Sequence, residues 1–300
     1  MHHVSPHFVF FGTSSFAVAV LLGLMAEGHF PRLIVTTPDA PAGRNRVLTA
    51  SVVKNFASLK SIPVIEPASL KDIDSASIER IISTRCDLFI VADYGKIIPR
   101  RLLDIPKKGA LNVHVSLLPK YRGPSPMQTA ILEGAPRTGV TIMEMVERLD
   151  EGPILAQEEF DLSLWQPAFE ELADRTAKVG AKILTEVMPL WLLGRLEPTD
   201  QDNQLATYTK MFTTKDGFIE GDVVLGRSTG ESAERAHRRV RALSHNPGTW
   251  TEIPVNKKLL RIKILTARME GERFVPEKIV PAGKKEMSWQ SFTMGNKIGA

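Results

Sequence analysis

Short apolar runs recur along the first part of this chain, and stretches with helical spacing lie between them. FVFF at 8–11, LIVT at 33–36, DLFIVA at 87–92 and ALNVHV at 110–115 are too apolar for strands with a face in water. Runs of that kind suit a parallel sheet covered on both sides. Residues 16–25, 52–59 and 73–82 place apolar side chains at helical intervals, and 125–132 opens a helix with proline near its first turn. Strands that alternate with helices predict a doubly wound α/β sheet, mostly parallel. In such sheets ligands bind beyond the C-terminal strand ends. Gly12, then Asp93-Tyr94-Gly95, then Asn112 and His114 fall at those ends.

The pattern continues with strands at 63–65, 139–145 and 153–160 and a long helix at 167–193. Residues 39–48, with Pro41, Gly43, Arg44 and Arg46, read as a loop. GRLEPTDQDN, within 194–206, is polar and turn-rich and marks a linker. Beyond it the apolar runs shorten: 223–225, 250–253, 259–265 and 274–279 look like strands around one amphipathic helix at 232–243. The expected organisation is a Rossmann-like domain at 1–193, a linker at 194–206, and a small OB-like β-barrel at 207–300.

Charge divides along the same line. Residues 207–300 hold 17 Lys and Arg against 10 Asp and Glu, whereas the preceding 206 residues hold 21 against 24. A near-neutral first part joined to a basic second part suits a catalytic domain with a module for a polyanion. No apolar run approaches the ~20 residues needed to span a bilayer. The start, MHHVSPHFVFFG, runs into a strand with no separate signal-peptide core. One cysteine, Cys86, rules out an internal disulfide and a multi-cysteine zinc site. A cytoplasmic location is expected, without a membrane.

Asn112 and His114 interrupt the apolar strand at 110–115, and two residues apart they face one side of it. Polar groups in such a run are costly unless partnered. They also suit a reaction that builds negative charge on a carbonyl oxygen. A single histidine on a strand is commonly structural, but Asp150 lies in a loop between two later strands and can reach a neighbouring strand end. Amide, imidazole and carboxylate together can donate hydrogen bonds and move a proton. The chain has no GxGxxG, GxxxxGK[ST] or HExxH, so neither a nicotinamide, a phosphate loop nor a zinc-protease site is indicated, and no metal is expected.

FFGTSSFA, TTPDAPAGRN, VADYGKIIP, LNVHVSLLPKYRGPSPMQTAIL, TGVTIMEMVERLDEGPI, HNPGTW and PAGKKEM occur in that order from end to end. In this the chain resembles the methionyl-tRNA formyltransferase family. The central block is shared by transformylases that use 10-formyltetrahydrofolate; the PAGR loop and PAGKK segment point to transfer RNA. Where the family commonly reads MDxGLDxGP, Val146 and Arg148 replace an aspartate and a glycine, and Asp150 is kept.

The resemblance implies attack by the α-amine of methionyl initiator tRNA on the formyl carbon of 10-formyltetrahydrofolate. Asn112 and a protonated His114 would stabilise the oxyanion, and Asp150 would keep His114 charged. Tyr94, Gly95, Lys96, Ile97 and Ile98, with Ser116, Leu117, Leu118 and Pro119, would border the folate. Arg44 and Arg46, then Arg235, Arg238 and Arg239, then Lys284 and Lys285 would meet the tRNA. The chain is expected to act as a monomer. A sugar-nucleotide formyltransferase with the same donor, a non-catalytic RNA-binding relative and a nicotinamide oxidoreductase are the competing readings; Gly12-Thr13-Ser14-Ser15 lacks the glycine fingerprint of the last.

Overall fold

A computed structural model describes residues 6–42 and 46–298. Contacts divide the chain into two compact units. The first comprises Met1–Pro124, Thr138–Phe160 and Ala173–Tyr208; the second comprises Ser125–Arg137, Asp161–Leu172 and Thr209–Ala300. A single cut near the linker would miss that two short internal segments group with the C-terminal part. Among the described residues no helix is long and apolar enough to cross a membrane.

The first unit carries β1 (Phe8–Gly12), α1 (Ser15–Ala26), β2 (Leu33–Val35), β3 (Ala40–Ala42), β4 (Val47–Thr49), α2 (Val52–Leu59), β5 (Val64–Ile65), α3 (Ser75–Ser83), β6 (Leu88–Ala92), α4 (Arg100–Leu103) and β7 (Ala110–His114). Helix α5 (Pro126–Glu133) belongs to the second unit; β8 (Arg137–Glu144), β9 (Ile154–Asp161) and most of α6 (Phe169–Leu192) return to the first. Seven strands form one sheet in the order β5-β2-β1-β6-β7-β8-β9. Pairing is parallel from β5 to β7 and antiparallel between β7 and β8.

Period-two alternation divides the apolar strands between two cores. Phe8, Phe10, Ile90, Leu111 and Val113 pack with Val20, Leu24, Ala177 and Leu184 on one face. Val9, Phe11, Phe89, Val91 and Ala110 pack with Ile81 and Leu102 on the other. Ser14, Ser51 and Asp74 accept hydrogen bonds from the first turns of α1, α2 and α3, so each crossover helix starts at a capped residue. The chain leaves β1 for β2 on one side and comes back as β6 on the other, which opens a crevice at their C-terminal ends. There Thr13 N–H donates to the Asp93 carbonyl at 3.1 Å. Only glycine fits at position 12: a Cβ would lie 2.6 Å from Ala17 Cβ and 2.9 Å from the Ala92 carbonyl oxygen.

Two local expectations are corrected. The loop expected at 39–48 contains an antiparallel hairpin, with Ala40 opposite Thr49 and Ala42 opposite Val47. The short run at 223–225 forms a helix, α7 (Gly221–Val224), rather than a strand. Three apolar residues carry no usable period, and burying Val223 and Val224 against the core decides the outcome.

The second unit places α8 (Glu231–Leu243) against an antiparallel sheet of β10 (Thr249–Val255), β11 (Lys258–Glu270), β12 (Arg273–Pro281) and β13 (Met287–Ser288), followed by α9 (Trp289–Met294). Ala233, Ala236 and Val240 meet Ile253, Ile262, Ile264 and Ile279 in its core. Asn256 and Lys257, both left-handed with φ of 51° and 65°, make the two-residue turn between β10 and β11.

Below the strand that bears Asn112 and His114, Gly180 of α6 leaves no room: a Cβ there would sit 2.6 Å from Val113 Cγ1. Overpacking costs about 1–3 kcal/mol, against the ~1 kcal/mol that alanine gains over glycine in a helix. Gly180→Ala should therefore lower stability by about 1 kcal/mol in urea unfolding.

Candidate active site

Strand β7 ends in polar residues because it stops at the sheet's C-terminal edge. Asn112 lies between Val91 of β6 and Met143 of β8, and His114 lies opposite Thr141. The Asn112 amide is half-buried and has no hydrogen-bond partner among the described residues. His114 is buried, and its Nε2 lies 3.1 Å from the Tyr121 carbonyl oxygen. A carbonyl only accepts, so Nε2 carries the hydrogen. Nδ1 then faces Asp150 Oδ1 at 3.8 Å. Asp150 is itself buried, and its Oδ2 accepts from Gly123 N–H at 2.7 Å.

Burial is the largest influence on His114 and pulls its pKa below 6.5; Asp150 and the Tyr121 carbonyl act in the opposite sense and only partly offset it. The ring is therefore neutral near pH 7 in the resting chain. Desolvation outweighs the Asp150 carboxylate, which lies beyond hydrogen-bond distance.

The turn after β7 is tied to β8 and β9. Thr141 Oγ1 donates to the Ser116 carbonyl at 2.6 Å and accepts from Leu118 N–H at 3.2 Å. Gln157 Nε2 donates to the Leu118 carbonyl and to Thr141 Oγ1, each at 2.8 Å. Ser116 Oγ donates to the Lys120 carbonyl at 2.6 Å, and the Leu118–Pro119 peptide is cis. Ser116 and Leu118 are buried supports of this turn, while Leu117 and Pro119 are half-buried.

After β6, Tyr94 packs edge-on against Phe11, and burial raises its phenol pKa. Lys96 Nζ donates to the Pro67 and Ala68 carbonyls at 2.8 and 2.9 Å. Gly95 takes a left-handed φ of 74°. Ile98 is buried, whereas Ile97 is 76% exposed. Tyr94, Ile98 and Leu118 thus give their side chains to the core, and only their backbones are offered to a ligand.

Arg122 is wholly buried, although KYRG reads as a surface turn. Its Nε and Nη2 donate to Gln201 Oε1 at 3.1 and 2.8 Å, and Nη2 also donates to Asn203 Oδ1 at 2.7 Å. Sequence reading missed this cluster. Gln201 and Asn203 sit in a segment whose composition is that of a solvated linker, and nothing local distinguishes them. A polar cleft of about 590 Å³ opens beside them, lined by Arg100, Val146, Glu147, Arg148, Glu151, Asp200, Gln201 and Asn203. It holds neither Asn112 nor His114.

Of the basic residues, Arg44 lies outside the described residues. Arg46 is exposed in the turn between β3 and β4. On α8, Arg235 is exposed and pairs with Glu231 at 2.7 Å. Arg238 is half-buried beside Gly134. Arg239 donates to the Phe218 carbonyl at 2.8 Å and Arg241 to the Pro167 carbonyl at 3.2 Å. Lys284 and Lys285 are exposed in the turn after β12. Arg261 stacks 3.8 Å from the ring centre of Trp250, a pairing that spacing along the chain does not announce.

The formyl transferase family model matches residues 7–188. A methionyl-tRNA formyltransferase from Bacillus licheniformis is 35% identical over 97% of this chain and 96% of its own length. One from Chloroflexus aurantiacus is 41% identical over 81% of this chain and 75% of its own. Among solved structures, methionyl-tRNA formyltransferase from Clostridium thermocellum superposes with a TM-score of 0.58 at 16% identity, covering 92% of this chain and 98% of that one. A sugar N-formyltransferase from a Shewanella species gives 0.61 at 19%, covering 89% and 99%. At those identities the two structures speak for the fold.

Because the folded pKa of His114 lies below its ordinary value, the unfolded chain takes up the proton first as pH falls. The stability contributed by the neutral ring is complete above ~6.5 and is lost below it. His237 in the second unit is shifted the same way, by burial and then by Arg241. Urea unfolding should show stability falling between about pH 7.5 and 5, with a shallower fall in His114→Gln.

Proposed function

The chain belongs to the methionyl-tRNA formyltransferases of the formyl transferase family, and from that membership and the site geometry we propose that it formylates the α-amine of methionyl initiator tRNA, with 10-formyltetrahydrofolate as donor. The observation that carries the reading is the unpartnered Asn112 amide, two residues along one strand face from a buried His114 that looks onto Asp150. The competing sugar-nucleotide reading shares these groups but has less support, since relatives that are 33–35% identical over 96–97% of the chain carry the tRNA name, whereas the sugar N-formyltransferase structure is 19% identical.

Each residue has a definable task. Asn112 donates to the carbonyl oxygen as it gains negative charge, and the surrounding apolar sheet strengthens that bond. An α-amine titrates near ~7.7–8.0, so at neutral pH it must lose a proton before it can attack. A neutral His114 can accept it, and Asp150 then stabilises the charge that forms on the ring. That first proton passes on to water; once the amine nitrogen has bonded to the formyl carbon it gives up a second proton, which His114 relays to the departing folate nitrogen as the bond between that nitrogen and the formyl carbon breaks. The low exposure of His114 and Asp150 limits the water that would compete for these bonds.

Residues at the β6 end suit the folate. Among the described residues, no backbone N–H from Tyr94 to Ile98 has a hydrogen-bond acceptor, and Ile97 exposes an apolar side chain beside them. Free N–H groups next to apolar surface match a planar heterocycle with polar edges. The donor supplies the formyl group; the chain supplies the hydrogen bonds and the proton transfers.

In this reading residues 1–193 carry the chemistry, 194–206 connect, and 207–300 take the tRNA, in the cytoplasm. Exposed Lys284 and Lys285, together with Arg261 and Lys263 on β11, offer phosphate contacts, and Trp250 beneath Arg261 gives the face an aromatic component. Arg235, Arg238 and Arg239 are assigned to the tRNA as well; Arg239 and Arg241 each give one donor to a carbonyl of a neighbouring segment. Arg44 and Arg46 are assigned to the acceptor end.

Incubation with 10-formyltetrahydrofolate and charged initiator tRNA should yield formylmethionyl-tRNA, whereas amino-sugar nucleotides should remain unmodified. Preference for the sugar would overturn the reading. Asn112→Ala should cut kcat by about 10²–10³ with tRNA affinity retained. Lys284→Ala with Lys285→Ala should weaken tRNA binding and flatten its dependence on log salt by about one unit for each phosphate left unneutralised.

A further inference from the structure

The contacts that hold His114 and Asp150 come from either side of one residue. Tyr121 supplies the carbonyl on His114 Nε2, and Gly123 supplies the N–H on Asp150 Oδ2. Between them Arg122 points its side chain away into Gln201, Asn203 and the Tyr208 hydroxyl. Its backbone N–H donates to the Thr207 carbonyl at 2.8 Å. Glu151 also faces the guanidinium, 3.6 Å from Nη1.

Gln201 closes the circuit. Its oxygen is taken by Arg122, so its Nε2 is left to donate to the Asp150 carbonyl at 2.8 Å and the Gly152 carbonyl at 2.7 Å. The amide orientation follows from the partners, since a guanidinium only donates and a carbonyl only accepts. The loops being joined are not relaxed. Tyr121 has φ of 62° and Asp150 of 54°, left-handed values that non-glycine residues hold only when their surroundings impose them. Gly152 is pressed so close to the Glu144 carbonyl that a Cβ would sit 1.7 Å from it.

We propose that Arg122 and Gln201 are positioning residues of the formyl-transfer site: the buried pair clamps residues 121–123 to residues 150–152 and thereby sets how His114 and Asp150 face each other. Neither touches substrate. The proposal rests on the reading of His114 and Asp150 as the proton-handling pair. It also gives the polar segment before the second unit a role beyond connection, because Gln201, Asn203, Thr207 and Tyr208 all act on the same clamp.

Gln201→Glu separates this role from simple support. The variant keeps an acceptor for the guanidinium and removes the donor to the Asp150 and Gly152 carbonyls. In the full-length chain, folded by circular dichroism, kcat should drop about 10–100-fold with KM for both substrates nearly constant, as for loss of an outer partner of a functional group. The titration midpoint of His114, followed by NMR, should move toward the ordinary histidine value as water reaches the ring; Asp150 is the charged group facing it. If Gln201→Glu does not fold, Arg122→Lys is read by the same measurements, since it keeps the charge and loses the fork. An unchanged His114 midpoint in a folded variant overturns the positioning role, whatever the activity. Failure of the wild-type chain to formylate methionyl-tRNA overturns the functional reading instead, and the His114 midpoint still decides this one.

Discussion

A guanidinium with no access to water must have its donors answered within the protein, and the cost of leaving them unanswered falls on whatever surrounds it. Arg122 is in that position. Its partners are drawn from residues 201–208, far along the chain, so the later part of the turn after β7 is held by a segment distant in sequence. That dependence extends to the chemistry. Tyr121 and Gly123 hold the imidazole and the carboxylate because Arg122 between them is anchored elsewhere.

The apolar sheet makes this arrangement consequential. Asn112 and His114 extend the face of β7 whose other member, Ala110, lies in an apolar core. In such surroundings a hydrogen bond is electrostatically stronger than in water, and an unpaired charge is correspondingly expensive. One environment therefore has two effects: it strengthens any hydrogen bond made by Asn112, and it disfavours the charged form of His114. Asp150 stands near enough to stabilise the charged ring once formed, yet not near enough to hold it charged at rest.

In the second unit, charge and function separate. The arginines of α8 look equivalent along the helix, but Arg239 and Arg241 satisfy carbonyls of neighbouring segments while Arg235 remains on the surface. Trp250 packs against Phe218 and underlies Arg261 on the exposed side of the sheet. The basic balance of residues 207–300 is a property of the whole stretch and suits a polyanion. It does not say which basic residues are free to meet one, because that depends on carbonyls contributed from outside the helix.

The amino-acid sequence by itself determined the alternation that builds the parallel sheet, the helix starts at Ser14, Ser51 and Asp74, and the shared face of Asn112 and His114. All of these are local: period, capping and strand parity act over a few residues. The hairpin within 39–48 and the helix at Gly221–Val224 were not legible, since runs so short carry no period and packing decides them. The protonation of His114, the buried Arg122–Gln201 pair and the division of labour among the arginines belong to the tertiary structure alone. Each is set by desolvation and by partners distant in sequence, and neither leaves a mark on composition or spacing.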